Sequence, residues 1–330
     1  MAGQVWAVNS LGGFLFSLNL SKELRTYVQP KAKFRQFAKA KNAAQNGRKK
    51  GDVFHWDIIS DVTTQGNYVA ETDTAPKTGF TISQGTLTIT EAINSVPFTQ
   101  KLDNLSEHPI KNIIRTALKN DAAKFFDIKA FDQFNATKLR IVPTAGTSTS
   151  AVTLTTNGTA TLTNNQEFKK QHVRAVVDLL NERDVPGYYG DDYVALSHPT
   201  TFSTLKDDLE GVYQYTQTGF IRIAAGEIGR YQGLRFVEQT NIPKGGAADS
   251  TTFNPLTKTA DAWNKAASSW IFFFGDDTVA EGIAVPEEIR GKIPQDFGRD
   301  MGFAWYYLGG FGIVHTLASQ SRIIKWDSAA

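Results

Sequence analysis

The sequence predicts a fold of mixed class, α/β or α+β, in which helices and strands share the core. One long amphipathic helix is predicted over 106–134, because apolar residues recur there at steps of three and four. Strand and helix patterns then alternate over 165–238. The last fifty or so residues are rich in strand patterns. With 330 residues, 41% of them hydrophobic, the chain can form one large domain or two modest ones.

The long helix is expected to begin with Ser106 as its N-cap and Pro109 in its first turn. Its apolar stripe is expected to pack on a sheet formed by 138–143 and 282–326, while Lys111, Arg115 and Lys119 point away. The core of this helix is predicted to include Ile110, Ile113, Ile114, Leu118 and Phe125.

Two strands, 52–62 and 80–93, are joined by a polar stretch and predict a long β-hairpin. A long two-stranded hairpin is marginally stable alone in water, so a partner surface is expected. The apolar terminus 1–20 either folds back on its own core or lies on another subunit. Near the other end, 303–308 and 311–317 are expected to form a second hairpin that turns at Gly309–Gly310.

Charge is distributed unevenly. Residues 22–50 contain ten lysines and arginines against one glutamate, a net charge of +9. Because the whole chain carries +2, the remainder carries −7. This basic arm is either a solvated, loosely helical segment or a contact with phosphate or with acidic neighbours. Phe34 and Phe37, at helical spacing, indicate docking as well as charge. The candidate interaction residues are Lys31, Lys33, Arg35, Lys39, Lys41, Arg48, Lys49 and Lys50.

The sequence gives little support for catalysis. With no cysteine, it has no disulfide, no thiolate metal site and no cysteine nucleophile. P-loop, GxSxG and HExxH motifs are missing, and Gly226–Gly233 does not match a phosphate-binding loop. Five scattered histidines and several adjacent acid pairs have the character of structural or solvated residues. We therefore expect no enzyme activity, no cofactor and no metal. We also expect no membrane partner, because no apolar run approaches the roughly 18 residues that a spanning helix needs.

Several blocks, in this order, resemble one podophage-type family of tailed-bacteriophage major capsid proteins. The blocks are 33–51, Val173–Gly187, Tyr193–Pro199, Gly226–Pro243, Gly302–Gly310 and Arg322–Lys325. The resemblance covers nearly the whole chain, and the order of the blocks carries it because none is diagnostic alone. The Thr-rich segment 144–164 has no counterpart.

The resemblance implies an α+β chain with the Hong Kong-type (Johnson) capsid fold. Residues 1–50 would be the N-terminal arm and 51–98 the extended loop, which lies over an adjacent subunit. Residues 99–143 and 282–330 would form the peripheral domain with its spine helix. Residues 144–281 would form the axial domain, which gathers around five- and six-fold axes.

The resemblance further implies a major capsid protein that assembles in the host cytoplasm as hexamers and pentamers. These would form the icosahedral shell of a virion around double-stranded DNA, with scaffolding and portal proteins as further partners. The alternative from the residues themselves is a basic-armed nucleic-acid-binding protein.

Overall fold

A computed structural model describes residues 33–42, 53–62, 66–143, 152–159, 167–213, 229–240 and 269–328. The terminus 1–20 and the candidate residues Lys31, Arg48, Lys49 and Lys50 lie outside these ranges. The helices α1 to α4 are Gln100–Leu105, Ile110–Asn135, Lys170–Glu182 and Ser203–Tyr213. The strands β1 to β13 are, in order, Lys39–Asn42, Val53–Ile59, Ile82–Thr88, Thr90–Thr99, Leu139–Pro143, Val152–Thr155, Tyr193–Ser197, Arg230–Tyr231, Leu234–Glu238, Ser269–Phe274, Val279–Gly291, Asp300–Ile313 and Ile323–Ser328.

The described strands form three sheets, and the α+β class is confirmed. A four-stranded sheet has the order β1-β11-β12-β4, with β1 parallel to β11 and the other pairs antiparallel. A seven-stranded mixed sheet has the order β6-β5-β13-β10-β7-β9-β8. Strands β2 and β3 pair with each other as a two-stranded hairpin. Helices α3 and α4 pack on one face of the seven-stranded sheet.

The long helix α2 begins at Ile110, four residues later than expected. Ser106 instead ends the short helix α1, and its side chain makes a local turn with the backbone of His108. Pro109 disfavours helical backbone at His108, the residue before it, so the helix begins only after that position. The Pro109 carbonyl then accepts the first helical hydrogen bonds, from Asn112 and Ile113.

Helix α2 contacts both large sheets because its buried stripe winds around it. Buried residues recur at every fourth position, at Ile110, Ile114, Leu118, Ala122, Phe126, Ala130 and Phe134. A step of four residues overshoots a 3.6-residue turn by about 40°, so the stripe rotates by roughly 240° along the helix. Its first part packs on Trp305 and Tyr307 of the four-stranded sheet. Its last part packs on Phe272 and Phe274 of the seven-stranded sheet.

The strands are therefore shared out differently from the expectation that 138–143 and 282–326 form one sheet on the helix. Strands β5 and β13 lie within the seven-stranded sheet, and most of their described residues are buried, as in strands covered on both faces. The four-stranded sheet instead takes β1 from the predicted arm and β4 from the predicted extended loop. Hydrophobic pattern alone does not specify which distant strands pair.

The expected turn at Gly309–Gly310 is also corrected, because both glycines lie inside the continuous strand β12. A Cβ on Gly309 would lie 2.4 Å from the carbonyl oxygen of Gly282. A Cβ on Gly310 would lie 2.1 Å from that of Thr88. These glycines do not form a turn. They instead allow the backbones of neighbouring strands to approach β12 closely, which is a common role of glycine within a strand.

Candidate assembly surfaces

The β2–β3 hairpin and the loop that joins its strands form an exposed part of the described chain. Seven residue pairs join its strands, from Val53–Thr88 to Ile59–Ile82. Beyond them, the described residues of 60–81 are nearly all exposed, and Ile59 is 70% exposed. Phe80 and Ile82 are exposed beside it. Apolar side chains on an extended, weakly supported element indicate a contact surface.

The base of this hairpin, by which we mean its paired strands β2 and β3, is fixed to strand β12 and to the segment that follows β12. The indole Nε1 of Trp56 donates to the carbonyl of Val314 at 3.1 Å. A Cβ on Gly85 would lie 2.0 Å from the Trp56 ring and one on Gly312 would lie 3.0 Å from it, so these two glycines make room for the ring. Ser83 donates to the side chain of Gln320 at 3.1 Å. The base is thus held while the tip remains free to contact other molecules.

A second projection is the turn between β11 and β12. Phe297 is 106% exposed and Ile293 is 83% exposed. Asp296, Phe297 and Gly298 all have left-handed backbone conformations, with φ of 49°, 51° and 88°. Such conformations are costly for residues other than glycine, about 1–3 kcal/mol each. Here they direct the aromatic ring away from the body.

The described part of the basic arm, residues 33–42, docks on the chain's own core. Phe34 is fully buried, and its ring centroid lies 5.3 to 5.6 Å from those of Phe131, Phe134 and Phe272. Phe37 packs on Phe274 with ring centroids 5.2 Å apart. This docked arm segment covers the junction between helix α2 and the seven-stranded sheet.

Two of the predicted interaction residues are paired within the chain. Arg35 hydrogen-bonds the carboxylates of Glu281 and Glu287, with closest distances of 2.9 Å to each. Burial opposes the charged form of Arg35, but the hydrogen bonds that its guanidinium donates to both glutamates outweigh this effect and raise its pKa. The same contact lowers the pKa of Glu287. Lys39 pairs with Asp276 at 2.7 Å and lowers the pKa of that carboxyl.

A buried carboxylate, Asp127, joins three parts of the fold, although its spacing placed it on the polar face of the helix. It accepts from the backbone N–H of Phe34 at 2.7 Å and from the Gln239 amide at 2.5 Å. The Gln239 side chain in turn accepts from the backbone N–H of Lys33 at 3.1 Å. The only sign of this burial in the sequence is that Asp127 directly follows Phe126, at the border of the winding stripe.

Of the remaining predicted interaction residues, Lys41 lies in strand β1.

The predicted core residues of the helix divide into two groups. Ile110, Ile114 and Leu118 are buried. Ile113 and Phe125 are partly buried at the edge of the same cluster, where the Phe125 ring lies 5.3 Å from that of Trp305.

The predicted polar face of the helix is solvent-exposed at Lys111, Arg115 and Lys119. The Arg115 guanidinium also lies 4.9 Å above the Phe303 ring at the margin of the sheet.

Within the described ranges, no group of three or more acidic or histidine side chains is arranged to hold a metal ion. No helix among the same residues is both long and apolar enough to cross a bilayer. The chemically notable features of the described chain are therefore its projections and its docked arm segment.

Solved structures of phage capsids share this fold. The capsid protein of cyanophage Pam1 is 13% identical, with a TM-score of 0.67 over 100% of both chains. That of cyanophage P-SCSP1u is 14% identical, with a TM-score of 0.65 over 96% of this chain and 93% of that one. The capsid of a native GTA particle is 16% identical, with a TM-score of 0.61 over 99% and 100%. The fold is thus the Hong Kong-type fold of tailed-phage major capsid proteins.

The sequence itself identifies the family. A model of the phage capsid protein family matches residues 95–319, more than half of the chain. The chain belongs to the phage capsid protein family, and the virion capsid is its location. A comparison with curated proteins finds no match.

Proposed function

We propose that this chain is the major capsid protein of an icosahedral shell, in which copies gather as hexamers and pentamers around double-stranded DNA. Its membership of the phage capsid protein family carries this proposal. The role is structural and involves no catalysed reaction. Scaffolding and portal proteins are the further partners we propose, and assembly takes place in the host cytoplasm.

The two projections support contact between copies. The exposed apolar residues of the β2–β3 hairpin need a surface to cover them, and in a shell a neighbouring copy is always within reach. Phe297 offers a second contact, because interface energy concentrates in a few aromatic and large apolar anchors. Each contact can be weak, because many copies that engage at once make the assembly cooperative.

We propose that the chain has the four parts expected from its sequence, namely an arm, an extended loop, a peripheral domain and an axial domain. The strands are distributed among these parts differently from that expectation. The arm, 1–50, contributes β1 to the four-stranded sheet, and the extended loop, 51–98, contributes most of β4 to the same sheet. The remaining ranges, 99–143 with 282–330 and 144–281, meet in the seven-stranded sheet, because β5 and β13 of the first pair with β6 and β10 of the second.

Negative-stain microscopy of the purified chain, alone and with its scaffolding protein, tests the proposal. We expect closed shells, or rings of five and six. A protein that remains monomeric at high concentration in both conditions would contradict it.

The alternative, a basic-armed nucleic-acid-binding protein, has less support because Arg35 and Lys39 are already paired with acids of the same chain. A truncation that tests it must end before Lys33, because removal of Phe34 would disrupt the core. If the alternative holds, deletion of 1–32 together with neutralisation of Arg48, Lys49 and Lys50 abolishes DNA binding and leaves a folded, dispersed body, whereas the capsid proposal predicts failed or aberrant assembly.

A further inference from the structure

His315 lies in the segment that holds the base of the β2–β3 hairpin. This segment, 314–322, connects β12 to β13, and its first residue, Val314, accepts the hydrogen bond from Trp56. The His315 side chain is only 7% exposed. Among the described residues, neither of its ring nitrogens makes a hydrogen bond of normal geometry, and the backbone of Asp277 is the weakest of the influences on its pKa. A buried imidazole without such a hydrogen bond is poorly prepared to accept a proton.

The charges around His315 act in opposite directions. Asp277, in the turn before β11, brings a carboxylate oxygen to 3.8 Å from Nε2. Arg322, the last residue of the same segment, adds a positive charge that disfavours protonation of the ring, and it donates to the carbonyl of Asp276. The Asp276 carboxylate is itself engaged by Lys39. Burial and then Arg322 lower the pKa of His315, and Asp277 only partly offsets them.

We propose that His315 is an acid-sensitive catch, which holds the hairpin base in place while neutral and releases it when protonated. A proton on the ring creates a buried imidazolium that the positive charge of Arg322 further disfavours. The segment 314–322 relieves this by moving so that the ring reaches water. Because Val314 directly precedes His315 and Gln320 lies in the same segment, that movement weakens the hydrogen bonds to Trp56 and Ser83 and loosens the hairpin base. The acid-sensitive movement itself depends only on this fold. Any effect of that movement on contacts between copies in a shell rests on the proposed function.

The direction of the pH effect follows from linkage. In the released form the exposed ring titrates near the usual histidine value of about 6.5, and in the docked form it titrates lower. As the pH falls through this interval the released form binds more protons, so the docked form loses stability. Asp276 and Glu287 titrate below their ordinary values of 3.8 and 4.5, so the ion pairs of the docked arm segment persist there. A change of pH from 7.5 to 5.5 thus tests the protonation of the histidine and leaves the carboxylates of Asp276 and Glu287 ionised.

Hydrogen–deuterium exchange of the full-length, unassembled chain at pH 7.5 and 5.5 tests the catch. After correction for intrinsic exchange, amides of β2, β3 and 314–322 should exchange roughly threefold faster or more at the lower pH. His315→Gln should remove this increase. His55→Gln should keep it, because His55 is an exposed histidine of the same hairpin. An equal increase in the His315→Gln protein, or none in the wild type, would overturn the proposal.

A titration of the wild-type chain with isotope-labelled histidine covers the case in which His315→Gln fails to fold. The His315 resonance should titrate below the usual histidine value, and an ordinary titration would overturn the proposal. Both measurements use unassembled protein. A chain that never forms shells can therefore still show the catch, and a chain that forms shells can still lack it.

Discussion

Replacing Phe34 with alanine should release the docked arm segment from the core. The ring is fully buried and contacts three other aromatic rings on helix α2 and strand β10. Truncating a buried phenylalanine to alanine costs about 3–5 kcal/mol, which includes about 0.5–1.5 kcal/mol for each favourable ring pair. A loss of about 4 kcal/mol lowers a docking equilibrium by roughly a thousandfold.

This loss is measurable by hydrogen exchange and by denaturant unfolding. In the Phe34→Ala protein, the backbone amides of β1 should lose their protection, because β1 lies at the edge of its sheet and follows the docked phenylalanine. Phe80→Ala is the matched control, since Phe80 is exposed at the hairpin tip, and it should change the free energy of unfolding by less than about 0.5 kcal/mol. Unchanged β1 protection together with an unchanged unfolding midpoint in Phe34→Ala would refute the assignment of this segment to the core.

Three further substitutions test other parts of the structure. Gly310→Ala should lower the melting temperature because its Cβ meets a backbone oxygen of the hairpin, whereas Gly291→Ala, which meets only one atom at 4.0 Å, should be close to neutral; equal melting temperatures would contradict the close approach. Arg35→Gln should weaken protection of β1 already at neutral pH and remove the part of its acid dependence that comes from Glu287, because the pKa of Glu287 returns toward its ordinary value; identical acid profiles would show that the ion pair does not hold the arm segment. Phe297→Ser should leave the melting temperature unchanged and reduce assembly measured by light scattering, and undiminished assembly would remove this turn from the contact surface.

Local patterns in the sequence predicted the elements better than their partners. Apolar spacing predicted the long helix, and alternation predicted both strands of the β2–β3 hairpin, because each pattern reflects the residue's own helix or strand. The four-stranded sheet was beyond such reasoning, since β1 and β11 pair across more than two hundred residues of chain. Local sequence patterns do not indicate which of several suitable strands will pair with each other at that distance along the chain.

The docked arm segment shows the same limit for charge. Lysine and arginine spacing identified a basic arm, but the sequence did not show that Arg35 would meet Glu281 and Glu287 on strand β11. Phe34 was the better signal, because an aromatic residue within a basic run is rarely left in water. Asp127 was missed because a carboxylate in a helix is normally solvated, and only its tertiary partners explain its burial.

Strand β12 has a mechanical consequence for the molecule. It pairs with β11 on one side and β4 on the other, each along ten residue pairs, and its glycines bring it against the hairpin base. A neighbour that pulls the hairpin lengthwise would therefore stress these ladders along the strand direction, so that many hydrogen bonds resist together. A sideways pull would open them one at a time at a far smaller force. The molecule should consequently tolerate stretching along this axis much better than peeling across it.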